Sequence, residues 1–273
     1  MRRVLLLAVL AALPLAAQKL AVVDAFFEAP DGAVVRNLTL NAGDTNYFSF
    51  RVAGFKPDAK QHVSLTYRIE MLDPKGAPVV EPLSDKVDTN LAPQDESWRP
   101  KIPWQAVVPP YAPSGDYLLK VYVEDKNAKT DARFEAAFKV RGESLEPEEK
   151  LALRRFVFAD AEYGPAKPDD AYHPGSTLWA RFKITGFQVS KEKEYWVEHD
   201  LQVLDAAGKV LFSNPNASVE QHKDFYPPRV LTTTFNLDLQ KGIKPGEYTI
   251  RLDVRDRLGE QALSHEAKFR IEP

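Results

Sequence analysis

The chain has 273 residues, of which 44% are hydrophobic and 27% charged, values typical of a globular protein that exclude wholesale disorder. It has no cysteine, which excludes disulfides, thiolate zinc sites, a catalytic thiol and a lipid-modified N-terminal cysteine. The formal net charge is −3 and neither half is basic, so nucleic-acid binding, which needs a positive field, is not expected.

The first 18 residues have the order of a secretory signal peptide. A basic start at Arg2 and Arg3 precedes an apolar stretch over residues 4–15, and the small residues Ala16 and Ala17 come before Lys19. This stretch is shorter than the roughly 20 apolar residues that cross a bilayer. We therefore expect residues 1–18 to be a signal peptide and the mature chain not to span a membrane. The alternative is an N-terminal membrane anchor.

Residues 19–141 predict a series of strands, because apolar and polar residues alternate as in a half-buried antiparallel strand. The alternation is clear where Tyr117, Leu119, Val121 and Val123 share one parity. The other apolar rows of this half lie near 21–28, 48–52, 63–71, 104–108 and 134–140. The charged residues 142–152 then predict a short linker containing one helical turn.

Residues 153–273 repeat the first pattern, with strands expected near 154–161, 178–184, 195–203, 209–212, 235–239, 248–254 and 265–271. An offset of 132 places Phe26 on Phe158, and beyond a loop an offset of 131 places Trp104 on Phe235. About seven short strands per copy is typical of a two-sheet sandwich. The fold class expected is therefore all-β, with two tandem seven-stranded antiparallel Ig-like β-sandwiches, 19–141 and 153–273, after the signal peptide.

The segment from Pro245 to Asp256 resembles bacterial immunoglobulin-like and fibronectin-type-III-like modules of secreted proteins, and residues 114–117 are a weaker copy of the same motif. The resemblance implies that the hydroxyls of Tyr117 and Tyr248 close a loop corner onto the backbone. Such modules usually act as spacers, adhesion elements or appended binding units, so the resemblance implies no catalytic residues.

Few residues indicate a catalytic or metal-binding site. The sequence has no nucleotide-binding, nucleophile-elbow or zinc-protease motif, and no strand carries a carboxylate within its apolar row. The five histidines lack the spacing of metal ligands, and the inward parity of His199 and His265 predicts half-buried core-edge positions. Asp125 and Asp256 share one repeat position at a strand end, where we expect turn caps; calcium binding is the alternative. No cofactor is expected.

Aromatic residues are the better candidates for a binding surface. Parity places two tryptophans on outer strand faces, where a large apolar ring is uncommon, and three further rings lie in Pro-rich loops. The candidates are Trp98, Tyr111, Trp179, Trp196 and Tyr226. These rings could anchor a partner protein, stack on a sugar, or pack beneath their own loops or between the domains.

The sequence therefore predicts an exported, non-catalytic interaction or structural module of the bacterial envelope, either periplasmic or secreted. Its partner would be an unknown protein or a surface glycan. The alternatives are a carbohydrate-binding module that uses the exposed aromatics, and an enzyme of unrecognised type.

Overall fold

The computed structural model describes residues 19–95 and 97–273, so the predicted signal peptide lies outside the described residues. The first half contains nine strands: β1 Ala21–Glu28, β2 Val34–Val35, β3 Thr39–Asn41, β4 Thr45–Ala53, β5 His62–Leu72, β6 Leu83–Asn90, β7 Lys101–Val107, β8 Gly115–Asp125 and β9 Thr130–Arg141. The second contains eight: β10 Ala152–Ala159, β11 Ala171–Tyr172, β12 Thr177–Thr185, β13 Glu194–Asp205, β14 Val210–Lys223, β15 Val230–Asp238, β16 Gly246–Asp256 and β17 Gln261–Ile271.

Each half is a pair of sheets. In the first half the sheet orders are β2-β1-β4-β7 and β3-β9-β8-β5-β6, and in the second they are β10-β12-β15 and β11-β17-β16-β13-β14. The all-β sandwich class is confirmed. The sheets are not purely antiparallel, because the short strands β3 and β11 pair in parallel with β9 and β17. These two short strands are too brief to produce an alternating signal.

Alternation places an apolar row of most long strands between the two sheets, whereas the edge strands β6 and β14 contain no buried residue. Tyr248, Ile250, Leu252 and Val254 are all buried, as the parity of β16 predicts, and Trp104 is buried in the first core. Each half has its own hydrophobic cluster of 20 buried residues. Sandwich packing therefore supplies the main apolar burial in both halves.

The registers of the two halves correct one predicted equivalence. Phe27 pairs with Phe48, and Phe158 pairs with Ala180, which is 132 residues after Phe48. The counterpart of Phe158 is therefore Phe27, at an offset of 131, and not Phe26. Burial agrees, because Phe27 is 6% exposed and Phe26 is 42% exposed. A bulge in β1 and in β10 shifts the parity of both strands, which a straight alternation does not anticipate.

The segment between β9 and β10 also differs from expectation. Its described residues contain bends and a single bridge from Glu143 to Pro113 but no helical turn, so the predicted helical turn is wrong. The described residues contain no helix long and apolar enough to cross a membrane. The 3₁₀ turn Pro93–Asp95 is the helical element between β6 and β7.

Both tyrosine corners have the geometry that the resemblance implied. The Tyr117 hydroxyl donates to the carbonyl oxygen of Pro113 at 2.9 Å, and the Tyr248 hydroxyl donates to that of Lys244 at 2.7 Å. Each bond ties the start of a central strand to the preceding loop, so the loop cannot separate from the sandwich without losing a partly buried hydrogen bond.

Asp125 and Asp256 cap turns, as predicted. Their oxygens accept backbone N–H groups of the hairpin turn and of a distant loop, Lys56 for Asp125 and Gln188 for Asp256. Both side chains are buried and continue the inward rows of β8 and β16, so the expectation of no inward carboxylate is wrong at these two strand ends. Several N–H donors satisfy each carboxylate, which accounts for its burial.

Candidate functional site

The five aromatic candidates do not form one surface. Trp179 lies on β12 and Trp196 on β13, on the outer faces of two different sheets, which point away from each other. Both are half-buried, and the indole nitrogen of Trp196 is inaccessible and has no hydrogen-bond partner among the described residues. A single sugar platform cannot include both rings.

Trp98 lies in a separate groove of the first half. Its ring meets that of Phe55 edge-on, with centroids 6.0 Å apart, and the groove has a volume of about 430 Å³. Trp98 is half-buried. An edge-on pair offers less flat ring surface than an open tryptophan, which makes Trp98 a poor stacking platform.

Tyr226 belongs to the junction between the two halves. Its ring packs against the core of the first half, and its hydroxyl donates to Asp73 Oδ2 at 2.9 Å. Burial, with the nearby Asp73 carboxylate, raises the pKa of Tyr226 above the usual range. The ring is engaged in the contact between the halves, so it is not free to stack on a ligand.

Tyr111 lines a cleft at the same junction, with a volume of about 550 Å³, which we call the junction cleft. The first half contributes the loop after β7 and the start of the connecting segment. The second half contributes the beginning of β13, the end of β14 and the start of β15. The lining residues are Pro110, Tyr111, Gly142, Glu143, Tyr195, Glu220, His222, Asp224, Val230, Leu231, Thr232 and Thr233.

Two tyrosines stand close to two carboxylates in the junction cleft. The hydroxyl of buried Tyr195 donates to Asp224 Oδ2 at 3.4 Å, while Tyr111 is 38% exposed. Burial is the main cause that raises the pKa of both tyrosines, and the negative charges of Asp224 and Glu220 raise it further. Both hydroxyls therefore stay protonated at neutral pH. The cleft therefore presents two phenol donors beside carboxylate acceptors.

The third carboxylate, Glu143, is already paired. Burial alone would raise its pKa, but an ion pair with Lys183 and backbone N–H donors from Leu145 and Ser144 outweigh burial and lower it. Lys183 belongs to β12, so this pair also joins the connecting segment to the second half. Glu220 and Asp224, in contrast, form no ion pair with a lysine or arginine of the described residues.

A second charged cluster lies on the outer face of the five-stranded sheet of the second half. Arg255 bonds Glu198 at 2.8 Å and Asp200 at 2.6 Å, and Arg257 also bonds Glu198. Hydrogen bonding from Arg255 is the main cause that lowers the pKa of Asp200 to about 2. Two guanidinium groups balance two carboxylates here, so the cluster has no net charge to offer a ligand and its role is structural.

Both His199 and His265 face inward as their parity predicted, but His199 is fully buried and not half-buried as expected. His199 is 3% exposed and meets the Phe182 ring edge-on, while His265 is half-buried beside Phe156. Desolvation lowers the pKa of His199 to about 4 and also lowers that of His265. No three His, Asp or Glu side chains within 19–95 and 97–273 converge as metal ligands would.

Most of the junction cleft is not predictable from the sequence pattern. Alternation predicts that Tyr195 belongs to an apolar row, and no motif singles out Glu220 or Asp224. One usable signal existed, because the repeat places Val63 opposite Tyr195. A ring with a polar tip replacing an aliphatic core residue in only one copy indicates a position with an added role.

No protein-family model and no curated protein matches the sequence. Among solved structures, the chain is similar to the C-terminal domain of the Streptococcus agalactiae AgI/II polypeptide BspA, with 9% identity and a TM-score of 0.33 over 93% of this chain and 100% of that one. The C-terminal domain of the Streptococcus pyogenes antigen I/II-family protein AspA gives 8% identity and a TM-score of 0.33 over 94% and 100%.

The native conformation of E. coli alpha-2-macroglobulin is also similar, with 10% identity and a TM-score of 0.29 over 93% of this chain and 17% of that one. TM-scores of this size do not establish a common arrangement of strands. Any function of this chain is therefore inferred from its own residues.

Proposed function

We propose that this chain is an exported, non-catalytic interaction module of the bacterial envelope or exterior, and that it binds a partner protein in the junction cleft. The signal-peptide pattern of residues 1–18 supports export. The tandem sandwich supports a modular role, because such folds present binding residues on loops and edges held by a rigid core.

One observation carries the proposal. The junction cleft combines an exposed aromatic ring, Tyr111, with Tyr195 and carboxylates from the other half of the chain. Aromatic rings surrounded by polar groups are typical of the residues that dominate protein interfaces. Both halves must be present to form the cleft, which gives a reason for a tandem pair instead of a single sandwich.

Site-specific photo-crosslinking in the producing organism tests this proposal. A photoreactive phenylalanine analogue replaces Tyr111 in one strain and Tyr163, which is 84% exposed and outside the cleft lining, in a control strain. We expect one discrete crosslinked partner from position 111 and none from position 163. Absence of a partner at 111, or the same partner at both positions, would contradict the proposal, as would substrate turnover by the purified chain.

A carbohydrate-binding module is the weaker second candidate, because Trp98 lines a groove of the first half but its edge-on contact with Phe55 limits the ring face that a sugar could cover. Titration of intrinsic tryptophan fluorescence with a panel of glycans tests it, with Trp98→Ala as the matched variant. A saturable change that the variant abolishes would favour this candidate, and a flat response across the panel would remove it.

A further inference from the structure

The charge of the junction cleft limits what can occupy it. Among the described residues, its lining includes three carboxylates and no lysine or arginine, and only Glu143 forms an ion pair with a lysine, Lys183. Glu220 contacts His222 at 3.2 Å, and Asp224 accepts from the Tyr195 hydroxyl. Ions in a cleft are screened less than ions on an open surface, so these carboxylates favour a cationic occupant.

The lysines at the rim do not neutralise this charge. Lys193 Nζ donates to the carbonyl oxygen of Phe225 at 2.6 Å and lies over the ring of that residue. Lys223 Nζ contacts Glu194 at 3.4 Å. Neither ammonium group forms an ion pair with Asp224 among the described residues, so the Asp224 carboxylate is available to a ligand.

The shape of the cleft favours an extended occupant. Glu220 and His222 lie on β14, and Thr232 and Thr233 on β15, and each of these strands is the last in its sheet. Edge strands have backbone groups on one side that can pair with an added strand. The cleft thus has two strand edges that an extended segment could pair with. The aromatic ring of Tyr111 can also pack against the aliphatic part of a long cationic side chain.

We infer that the junction cleft binds an extended, lysine- or arginine-bearing segment of the partner protein, with one cationic side chain between the Tyr111 ring and the carboxylates of Asp224 and Glu220. This inference rests on the proposed function and adds the chemistry of the partner. A bound metal ion is a poorer fit, because calcium needs six to eight converging oxygens and no group of three ligands is found in the described part of the chain.

Fluorescence anisotropy with the mature chain tests the inference. The probe is a fluorescein-labelled peptide of about ten residues that alternates lysine with threonine, and the comparison peptide has glutamate in place of lysine. We expect saturable binding of the lysine peptide only. The double variant Asp224→Asn/Glu220→Gln should weaken binding by about tenfold, and Tyr111→Ala should also weaken it.

The matched control is Asp131→Asn/Glu135→Gln, which removes two exposed carboxylates of β9 outside the cleft lining. It makes the same change in net charge and should alter affinity by less than about twofold. Equal weakening by both double variants, equal binding of the glutamate peptide, or no binding of the lysine peptide would overturn the inference.

The two proposals fail in different ways. A partner crosslinked at position 111, with no binding of the lysine peptide, would refute the basic segment and leave the interaction module standing. Failure to capture any partner at position 111 would instead refute the proposed function, and the inference with it.

Discussion

The buried His199 should make the second half less stable on mild acidification. Its pKa is lowered to about 4 by desolvation, while a histidine in the unfolded chain has a pKa of 6.5. The unfolded state therefore binds more protons between these two values, so stability is highest above pH 6.5 and falls as the pH drops towards 4. Burial of a neutral imidazole against Phe182 is the structural cause.

The size of the effect follows from the two pKa values. Between pH 7 and pH 5 the unfolded state takes up most of one proton and the folded state takes up almost none. The linkage relation then gives a loss of about 2 kcal/mol in the free energy of unfolding, and about 3 kcal/mol once the pH reaches 4. Asp200, whose pKa is lowered to about 2 from 3.8, loses its contribution only below about pH 4, so the two effects are separable.

Urea unfolding at a series of pH values measures this loss, with His199→Phe as the test variant and His173→Gln, at an exposed position, as the control. Phenylalanine keeps an aromatic ring against Phe182 and removes the titrating group. Between pH 7 and pH 5, we expect the free energy of unfolding to fall by about 2 kcal/mol less in His199→Phe than in the wild type. The control should show the same fall as the wild type. Equal pH dependence in all three proteins would refute the reasoning. His265, whose pKa is also lowered, accounts for any smaller dependence that remains.

Three further predictions concern individual contacts. Asn46→Leu should stabilise the first half by about 1 kcal/mol in urea unfolding. The buried Oδ1 of Asn46 has no hydrogen-bond partner among the described residues, and the second half has Leu178 at the same repeat position. A loss of stability in this variant would contradict the prediction. Tyr226→Phe should weaken the junction by about 1–2 kcal/mol, because it removes the hydrogen bond to Asp73. We expect faster amide hydrogen exchange in the turn that follows Asp73, and unchanged exchange there would contradict the prediction. Gly186→Ala should destabilise the second half by more than about 2 kcal/mol in the same urea unfolding assay. Gly186 has a φ of +76°, and an added Cβ would clash with the carbonyl oxygen of Lys150. Wild-type stability in this variant would contradict the close packing of Gly186 against Lys150.

The strands that carry an apolar row, and their inward faces, could be predicted from the sequence, because side-chain parity is a local property of an extended chain. The row from Tyr248 to Val254 is an example, since each residue that alternation places inward is buried. The short strands β2, β3 and β11 and the exposed edge strand β6 carry no such row and are not predicted. The turn caps at Asp125 and Asp256 could also be predicted, because a carboxylate next to a hairpin turn finds its N–H donors within a few residues. The bulges of β1 and β10 could not be predicted in this way. One extra residue at each bulge reverses the side-chain parity, and the alternation pattern does not show where that residue lies.

Only the tertiary structure showed which surface residues meet. Tyr111 and Asp224 are more than a hundred positions apart, and Tyr195 has the parity of a core residue although its hydroxyl reaches the junction cleft. Likewise, Tyr226 was a candidate for binding, and its bond to Asp73 makes it part of the contact between the halves. The sequence alone thus determined the strands that carry an apolar row and the sandwich class, because both follow from local periodicity. The cleft depended on how two loops and two strand edges pack together, which no local pattern encodes.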